Sequence, residues 1–464
     1  MQPHSNSPRS RGESNPNSVP SPSSGRGRSR SASGGVGFIL LLSLTTIISC
    51  KTPDEPITPP TQTDSLVLKV TETQLKKAVL SLHTSGISYP STLSLTRNSE
   101  TVTTFSLFGK DTVLTDKNLI PSTSYNWQVL HERPNQNTVK SNIATGKTED
   151  STSHDFTWET HYFGKLPEGA DLRDIALVND SLAYVVGKIY DDRIPDTTTA
   201  WYKGQYNVAR WNGKIWTYMK VFNHYGGQIN FGRMDWVYAF GPDTVWFSNG
   251  VRWNGKNVLE DFREFDLLTQ GVLSVWGSSP SNFYTGGYNG EILHFNGTNW
   301  KKLNSGTTLH IYDIYGAGNE VYAAANTGQS LETKILKLEG DNVTPISTIG
   351  IPYRVESFWF IPNELYMAAG EGVFEKEKLS DQTWNQIPQN LLTKWTTYGI
   401  RGSANNNIFI ASGSGGLSHY NGSTWKNYGP LGFVIGDVRV RTDVMMTLGF
   451  QGNTGIVVIG KRTE

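Results

Sequence analysis

The 464-residue chain has a single cysteine, Cys50. An intramolecular disulfide is therefore excluded, and any exported part has to be held by packing alone. No charge of one sign dominates either: Lys+Arg and Asp+Glu both number 41. That balance gives no electrostatic reason to expect nucleic acid or an anionic surface as the main partner. Charged residues make up only 18%, below the usual quarter, too few for long solvated helices. No apolar run reaches the roughly 20 residues that a spanning helix needs. Histidine pairs at metal-ligand spacing, a Gly-x-Ser-x-Gly elbow and a phosphate-cradling glycine loop are all missing, so no metal and no cofactor is expected. What the chain has in quantity is glycine, 47 residues, and aromatics at 11%. Short strands, tight turns and large packed side chains produce that profile.

The one cysteine has a telling position. Residues 1–35 are rich in Ser, Pro, Arg and Gly, with Arg26, Arg28 and Arg30 just ahead of the apolar run Val36–Ile48. That run is too short to span a bilayer but suits the apolar core of a signal peptide. It ends Ile47-Ile48-Ser49-Cys50, which resembles the lipobox of bacterial lipoproteins. The resemblance implies cleavage before Cys50 and acylation of its sulfur, with the membrane as a partner through that lipid. The other reading, a buried free cysteine, leaves the arginines and the length of the run unexplained. Residues 1–49 are thus expected to be a basic lead plus signal peptide, and 50–61 a tether. Its Lys51-Thr52-Pro53-Asp54-Glu55-Pro56 buries too little surface to fold. A lysine and acids so close to the cysteine are also similar to the surface-export signal of Bacteroidetes lipoproteins, and an ordinary solvated linker is the other reading. An outer-membrane or cell-surface location follows as an expectation.

From 62 to 148 the pattern is that of a β-sandwich. Leu66-Val67-Leu68-Lys69-Val70, Ala78-Val79-Leu80-Ser81-Leu82, Leu93-Ser94-Leu95 and Val102-Thr103-Thr104-Phe105 are short alternating runs bounded by turn residues. The stretch Leu119-Ile120-Pro121-Ser122-Thr123-Ser124-Tyr125 resembles the corner before the sixth strand of fibronectin type III domains. That likeness implies a structural role for Tyr125, its hydroxyl bonding back to the backbone above Leu119. The second strand carries no tryptophan, where that family often buries one, and Arg-Gly-Asp is absent. A spacer is the plainer reading and a binding domain the other.

Residues 154–464 repeat. Trp211-Asn212-Gly213, Trp253-Asn254-Gly255, Phe295-Asn296-Gly297 and Tyr420-Asn421-Gly422 recur at a spacing of about 42 residues or multiples of it. Each Asn-Gly lies between apolar runs, where a hairpin with positive φ is expected. Upstream, an apolar position recurs seven times: Ile175, Val237, Val275, Ile314, Phe358, Ile400 and Val438. Four short strands per repeat is the content of a propeller blade. Trp216, Trp300, Trp384 and Trp425 mark the last strand of their blades as structural residues. Trp158, at the front, is expected to serve the last blade and close the ring. The whole chain is therefore expected to be all-β, a fibronectin type III-like sandwich followed by a β-propeller of seven blades. Gly290-Glu291-Ile292-Leu293-His294-Phe295-Asn296-Gly297 resembles the blades of propellers common in bacterial surface proteins.

Candidate functional residues are few. An insertion in the first blade, Ile189 to Asn207, holds Tyr190, Asp191, Asp192, Trp201, Tyr202 and Tyr206. Flat aromatics beside carboxylates suit stacking on a sugar or a peptide, and long loops on rigid scaffolds tend to carry function; a self-packed loop is the plain alternative. His224-Tyr225-Gly226-Gly227 is a second long connection. His294 and His419 share a repeat position and are expected to pack. Asp174, Asp313 and Asp437 recur just before the apolar position; they would form a ring of carboxylates or cap the backbone. The reading is a non-catalytic binding module for a protein or glycan. Its rivals are a glycan hydrolase or lyase with two opposed carboxylates in the funnel, and a structural subunit of an envelope assembly.

Overall fold

The computed structural model describes residues 63–463, apart from 199, 226–227, 257, 260–269, 330, 393–396, 414–415 and 430. Cys50, the lead at 1–49 and the tether at 50–61 lie outside the described residues, as do Gly226 and Gly227. Among the described residues no helix is long and apolar enough to cross a membrane.

Alternation of apolar and polar residues builds two small sheets first. Ser65–Thr73, Lys77–Ser85 and Asp111–Lys117 form one. Glu100–Leu107, Ser91–Arg97 and Ser124–His131 form the other, and Val139–Lys140 and Ala144–Lys147 both pair with the last of these. Leu68, Leu80, Leu82, Leu95, Leu119 and Val129 from both sheets share one core. The Tyr125 hydroxyl accepts the Ile120 N–H at 2.9 Å. A buried tryptophan does sit in this core, but on the strand that follows the corner: Trp127 donates to the fully buried Asp116 at 2.7 Å.

Beyond residue 155, the described strands form seven four-stranded antiparallel sheets. Their inner strands are Ala170–Asn179, Val237–Gly241, Val272–Ser279, His310–Ala317, Val355–Ile361, Thr397–Ala404 and Val434–Val440. Each inner strand packs on the next, and the seventh packs on the first, so the sheets close a ring in the manner of a β-propeller. The seventh sheet takes its outer strand from the front of the domain, where Phe156–Phe163 pairs along its length with Thr454–Arg462. A free sheet edge is removed at that point.

Two details differ from the sequence-based expectation. Trp158 is not core: on that closing strand it stands 36% exposed, one side against Phe156 and Tyr428. An outer strand has a neighbouring strand on only one side, so a side chain there is covered incompletely. Trp216 and Trp425 are half-buried for the same reason, while Trp300 and Trp384 are buried. The Asn-Gly turns are also not paired positive-φ turns. Only the glycine is left-handed, as at Gly297 with φ of 94°. The asparagine works through its side chain: the Asn296 carbonyl oxygen accepts the N–H groups of Thr298 and Asn299 at 3.0 and 2.9 Å.

The ring has two unlike faces. Inner strands begin at one, here the entry face, which also carries the turns between second and third strands. The opposite face meets the sandwich. There Leu75 lies against Gly422, the Lys76 ammonium sits over the Tyr420 ring at 5.1 Å, and Lys117 pairs with Glu377 at 2.6 Å.

Candidate functional site: the central channel and the entry face

Six inner strands carry a register break near their start, which lifts one residue out of the ladder, as at Leu172/Asp174 and Ile311/Asp313. The side chain of the residue just after the break reaches the next sheet. Asp174 accepts the Val237 N–H at 2.9 Å, and Asp313 accepts that of Phe358 at 3.0 Å. Serines do the same: Ser274 takes the Ile314 N–H at 2.6 Å and Ser357 that of Ile400 at 3.2 Å. These are backbone groups that no strand ladder pairs, and a buried N–H without an acceptor is costly. Asp174 and Asp313 are therefore caps that rivet one sheet to the next, whereas Asp437 accepts the Val438 N–H of its own strand.

One residue beyond the recurring apolar position, six of the seven inner strands carry the large side chains that line the middle of the channel, Tyr238, Trp276, Tyr315, Trp359, Arg401 and Arg439, and the first carries Ala176. The arginines were not singled out by sequence. Arg401 holds Asp313 with two bonds, at 2.7 and 2.9 Å, and also donates to Ser357 and to the Ile400 carbonyl. One guanidinium thus ties together three successive sheets. Burial alone would push the Asp313 carboxyl up, but Arg401, the Phe358 N–H and the Ser357 hydroxyl outweigh it and hold the carboxyl below its usual range. Arg439 bridges Asp174, at 2.9 Å, and Asp437. Here burial wins, helped by the neighbouring Asp437, and the Asp174 carboxyl is pushed up to about 6. A cavity of about 980 Å³ lies along this axis. Its wall carries the paired arginines and acids as well as Tyr312, Tyr315 and Tyr398.

The insertion loop gathers only part of what its composition suggested. Asp191 is buried and held by Arg193 at 2.8 and 2.7 Å, which keeps its carboxyl below the ordinary range. Asp192 pairs with Lys165 at 2.6 Å. Tyr206 belongs to the core, packed on Tyr218 with the Lys220 ammonium over its ring. Tyr202 packs among Phe222 and Phe231. Tyr190 ends its strand, its backbone tied to Lys165 and Gly169. Of the loop's candidate aromatics only Trp201 is exposed, at 85%. The loop that carries it is pinned by an ion pair absent from the sequence reading. Asp196 and Lys220, both nearly inaccessible, meet at 2.6 Å, and Asp196 also accepts the N–H groups of Thr198 and Gly204 at 3.0 and 2.8 Å. For the second candidate connection, Asn223–Tyr225 pairs with Gln228–Asn230. Of the repeat histidines, His294 stacks on Tyr284 at 4.2 Å and His419 on Phe409 at 4.4 Å.

Trp201 has company on its face. Among the described residues of the ring, twelve large apolar side chains are exposed, and nine belong to the entry face, Ile229, Leu331, Ile349 and Phe450 among them. Ile215 is the one such residue in a turn on the opposite face.

No family model and no curated protein matches the chain. Solved structures that it resembles include BamB from Moraxella catarrhalis, at 10% identity over 67% of this chain and 98% of that one, TM-score 0.34. A quinonprotein alcohol dehydrogenase-like protein from Bacteroides thetaiotaomicron is similar at 7% identity over 84% and 94%, TM-score 0.35. The computationally designed Ika4 protein is similar at 12% identity over 35% and 92%, TM-score 0.26. Likenesses this distant say nothing of activity, and the β-propeller assignment rests on the strand order and the closed ring of inner strands.

Proposed function

We propose that the chain is a lipid-anchored protein of the cell envelope whose ring, a seven-bladed propeller, is a non-catalytic binding module. On this reading Cys50 bears the acyl chains, residues 51–61 are the tether, and residues 62–148 are a fibronectin type III-like spacer. The observation that carries it is the segregation of exposed apolar side chains to the entry face. Exposed apolar side chains gathered on one face favour that face as the interaction surface. The sandwich covers the other face. Its first strand runs from Ser65 to Thr73, and the following turn, with Leu75, is what touches the ring. The first strand therefore begins at the end of the sandwich away from the ring, and the entry face is the ring's opposite side. Trp201, rigidly presented by the Asp196–Lys220 pair, is the expected anchor, since aromatics on pre-ordered loops dominate binding energy.

Two forms of partner fit this face. A loose glycan or protein ligand would use Trp201 as a platform. The aliphatic Ile229, Leu331 and Ile349, spread around the ring, favour a protein neighbour in an envelope assembly, because sugars stack on flat rings and gain little from aliphatic tips. A hydrolase is the less supported reading: Asp174 stands beside Asp437, but its oxygens are already engaged by Val237, Ile175 and Arg439. The test is a glycan array run with capture and crosslinking from native envelopes. Trp201→Ala and Ile349→Asp should each weaken the captured partner at least tenfold; unchanged capture by both removes the entry face from consideration. A stoichiometric complex that co-purifies selects the assembly. Mass spectrometry of the native protein checks the anchor, and an unmodified Cys50 with the leader attached rejects it.

A further inference from the structure

We propose that the paired imidazoles of His154 and His419 form an acid-sensitive clasp that holds the segment joining the sandwich to the ring. The segment lies along two turns of the sixth sheet. Thr152 exchanges bonds with Asn421, its N–H donating to the Asn421 carbonyl at 3.0 Å and its carbonyl accepting from the Asn421 side chain at 2.9 Å. Asn406 donates to the Asp150 carbonyl at 3.0 Å. Two residues on, the His154 ring meets the wholly buried His419 edge-on, with the two Nδ1 atoms 2.9 Å apart.

The protons in this contact are fixed by the neighbours. Asn407 donates its amide to the Arg441 and Thr442 carbonyls, both at 3.0 Å, so its oxygen faces His419 Nε2 at 3.1 Å. That oxygen only accepts, which puts the His419 proton on Nε2 and leaves its Nδ1 bare. His154 must then donate from Nδ1, and its Nε2 lies 3.0 Å from the Thr424 hydroxyl, which can serve either role. A proton added to His419 would set two N–H groups head to head. One added to His154 keeps the bonds but faces Lys426 and Arg462, whose side chains reach the His154 and Ser153 carbonyls. Asp155 and Asp443 offset these cations in part, at 3.7 Å from Lys426 and 3.5 Å from Arg462; the Tyr428 hydroxyl donates to the His154 carbonyl.

The electrostatics agree with the geometry. Burial, then the neighbouring cations, hold both rings below the ordinary imidazole range, His419 down to about 3. A folded value below the free value of 6.5 means that protons favour the open form. The clasp is thus intact above 6.5 and weakens as pH falls from there toward 3. Glu149 works in the opposite sense: burial and Glu364 raise its carboxyl, so its protonation relieves repulsion. The same measurement in a Glu149→Gln background separates the two effects.

The reporter is the Thr152 amide. In the full chain, hydrogen exchange corrected for the intrinsic rate should show its protection falling by about 15-fold or more between pH 6.5 and 5.0, the change contributed by one ring of free value 6.5 that stays neutral in the clasp. Amides of the second strand Asn407–Ser412 should not change. In a His154→Gln, His419→Gln double variant, which can keep a neutral hydrogen bond, the pH dependence should vanish. Flat protection in the unsubstituted chain, or an undiminished fall in the double variant, overturns the proposal. Should that variant not fold, the imidazole nitrogen shifts of the unsubstituted chain decide. His419 neutral at pH 6 with Nε2 protonated supports the clasp, and two rings titrating independently near 6.5 reject it.

Discussion

The channel collar is built in two ways around one ring. In the second to fifth sheets the collar position is aromatic: Tyr238, Trp276, Tyr315 and Trp359. In the sixth and seventh it is Arg401 and Arg439. The residue that each collar side chain meets in the next sheet changes with it. Tyr238 and Trp359 donate to the Gly277 and Gly402 carbonyls at 2.7 and 3.1 Å, and Trp276 lies where a side chain on Gly316 would be. After the two arginines, Val440 and Leu177 stand in place of glycine. Three of the four aromatic side chains lie against a bare glycine backbone, whereas Tyr315 meets Phe360 edge-on. A guanidinium instead reaches along the ring to a carboxylate, so the position beside it is free to hold an aliphatic side chain.

The sharpest way to break the charged half is Asp313→Ala, which strands the buried Arg401. The expected loss is about 3–5 kcal/mol in chemical denaturation. Asp174→Ala should cost less, because Arg439 keeps Asp437. Acid should erase the difference between wild type and Asp313→Ala: the Asp313 carboxyl is held below 3.8 when folded, so its contribution is present above that value and fades as pH falls through the lowered one. The aromatic half is tested by Gly402→Ala. The added carbon would stand 2.6 Å from the Trp359 ring, and overpacking of that kind costs about 1–3 kcal/mol. Trp359→Phe removes the bond to the Gly402 carbonyl and should cost about 1 kcal/mol for that bond. Thermal melts of the two variants side by side separate clash from lost hydrogen bond. The smallest effect is expected outside the collar, where Trp201→Ala should stay within about 0.5 kcal/mol of wild type.

These contrasts also show what the sequence could reveal. The repeat was legible because apolar positions such as Ile175, Val275 and Ile400 recur with their turns. The front strand Phe156–Phe163 was recognisable as a displaced member of the last sheet for the same reason. The arginines were not found, yet they stand one column beyond those apolar positions in the same alignment. That column reads Ala, Tyr, Trp, Tyr, Trp, Arg, Arg. What no column carries is a partner two repeats away, such as Asp313 for Arg401. The insertion loop misled for a related reason. Its candidate acids, Asp191 and Asp192, are taken up by the counter-ions Arg193 and Lys165, and Tyr206 belongs to a strand and not to the loop. Trp158 shows the limit of repeat logic: equivalent positions share a register, but burial depends on what lies on the open side of an outer strand.

The borrowed strand has a mechanical consequence. Phe156–Phe163 starts near the sandwich and runs toward the entry face, hydrogen-bonded sideways to Thr454–Arg462 over eight residue pairs. Any tension arriving from the spacer is delivered along that strand, at right angles to its bonds. The bonds are then loaded together in shear instead of being peeled one after another. A pull on the stalk meets the ring where it is hardest to unzip.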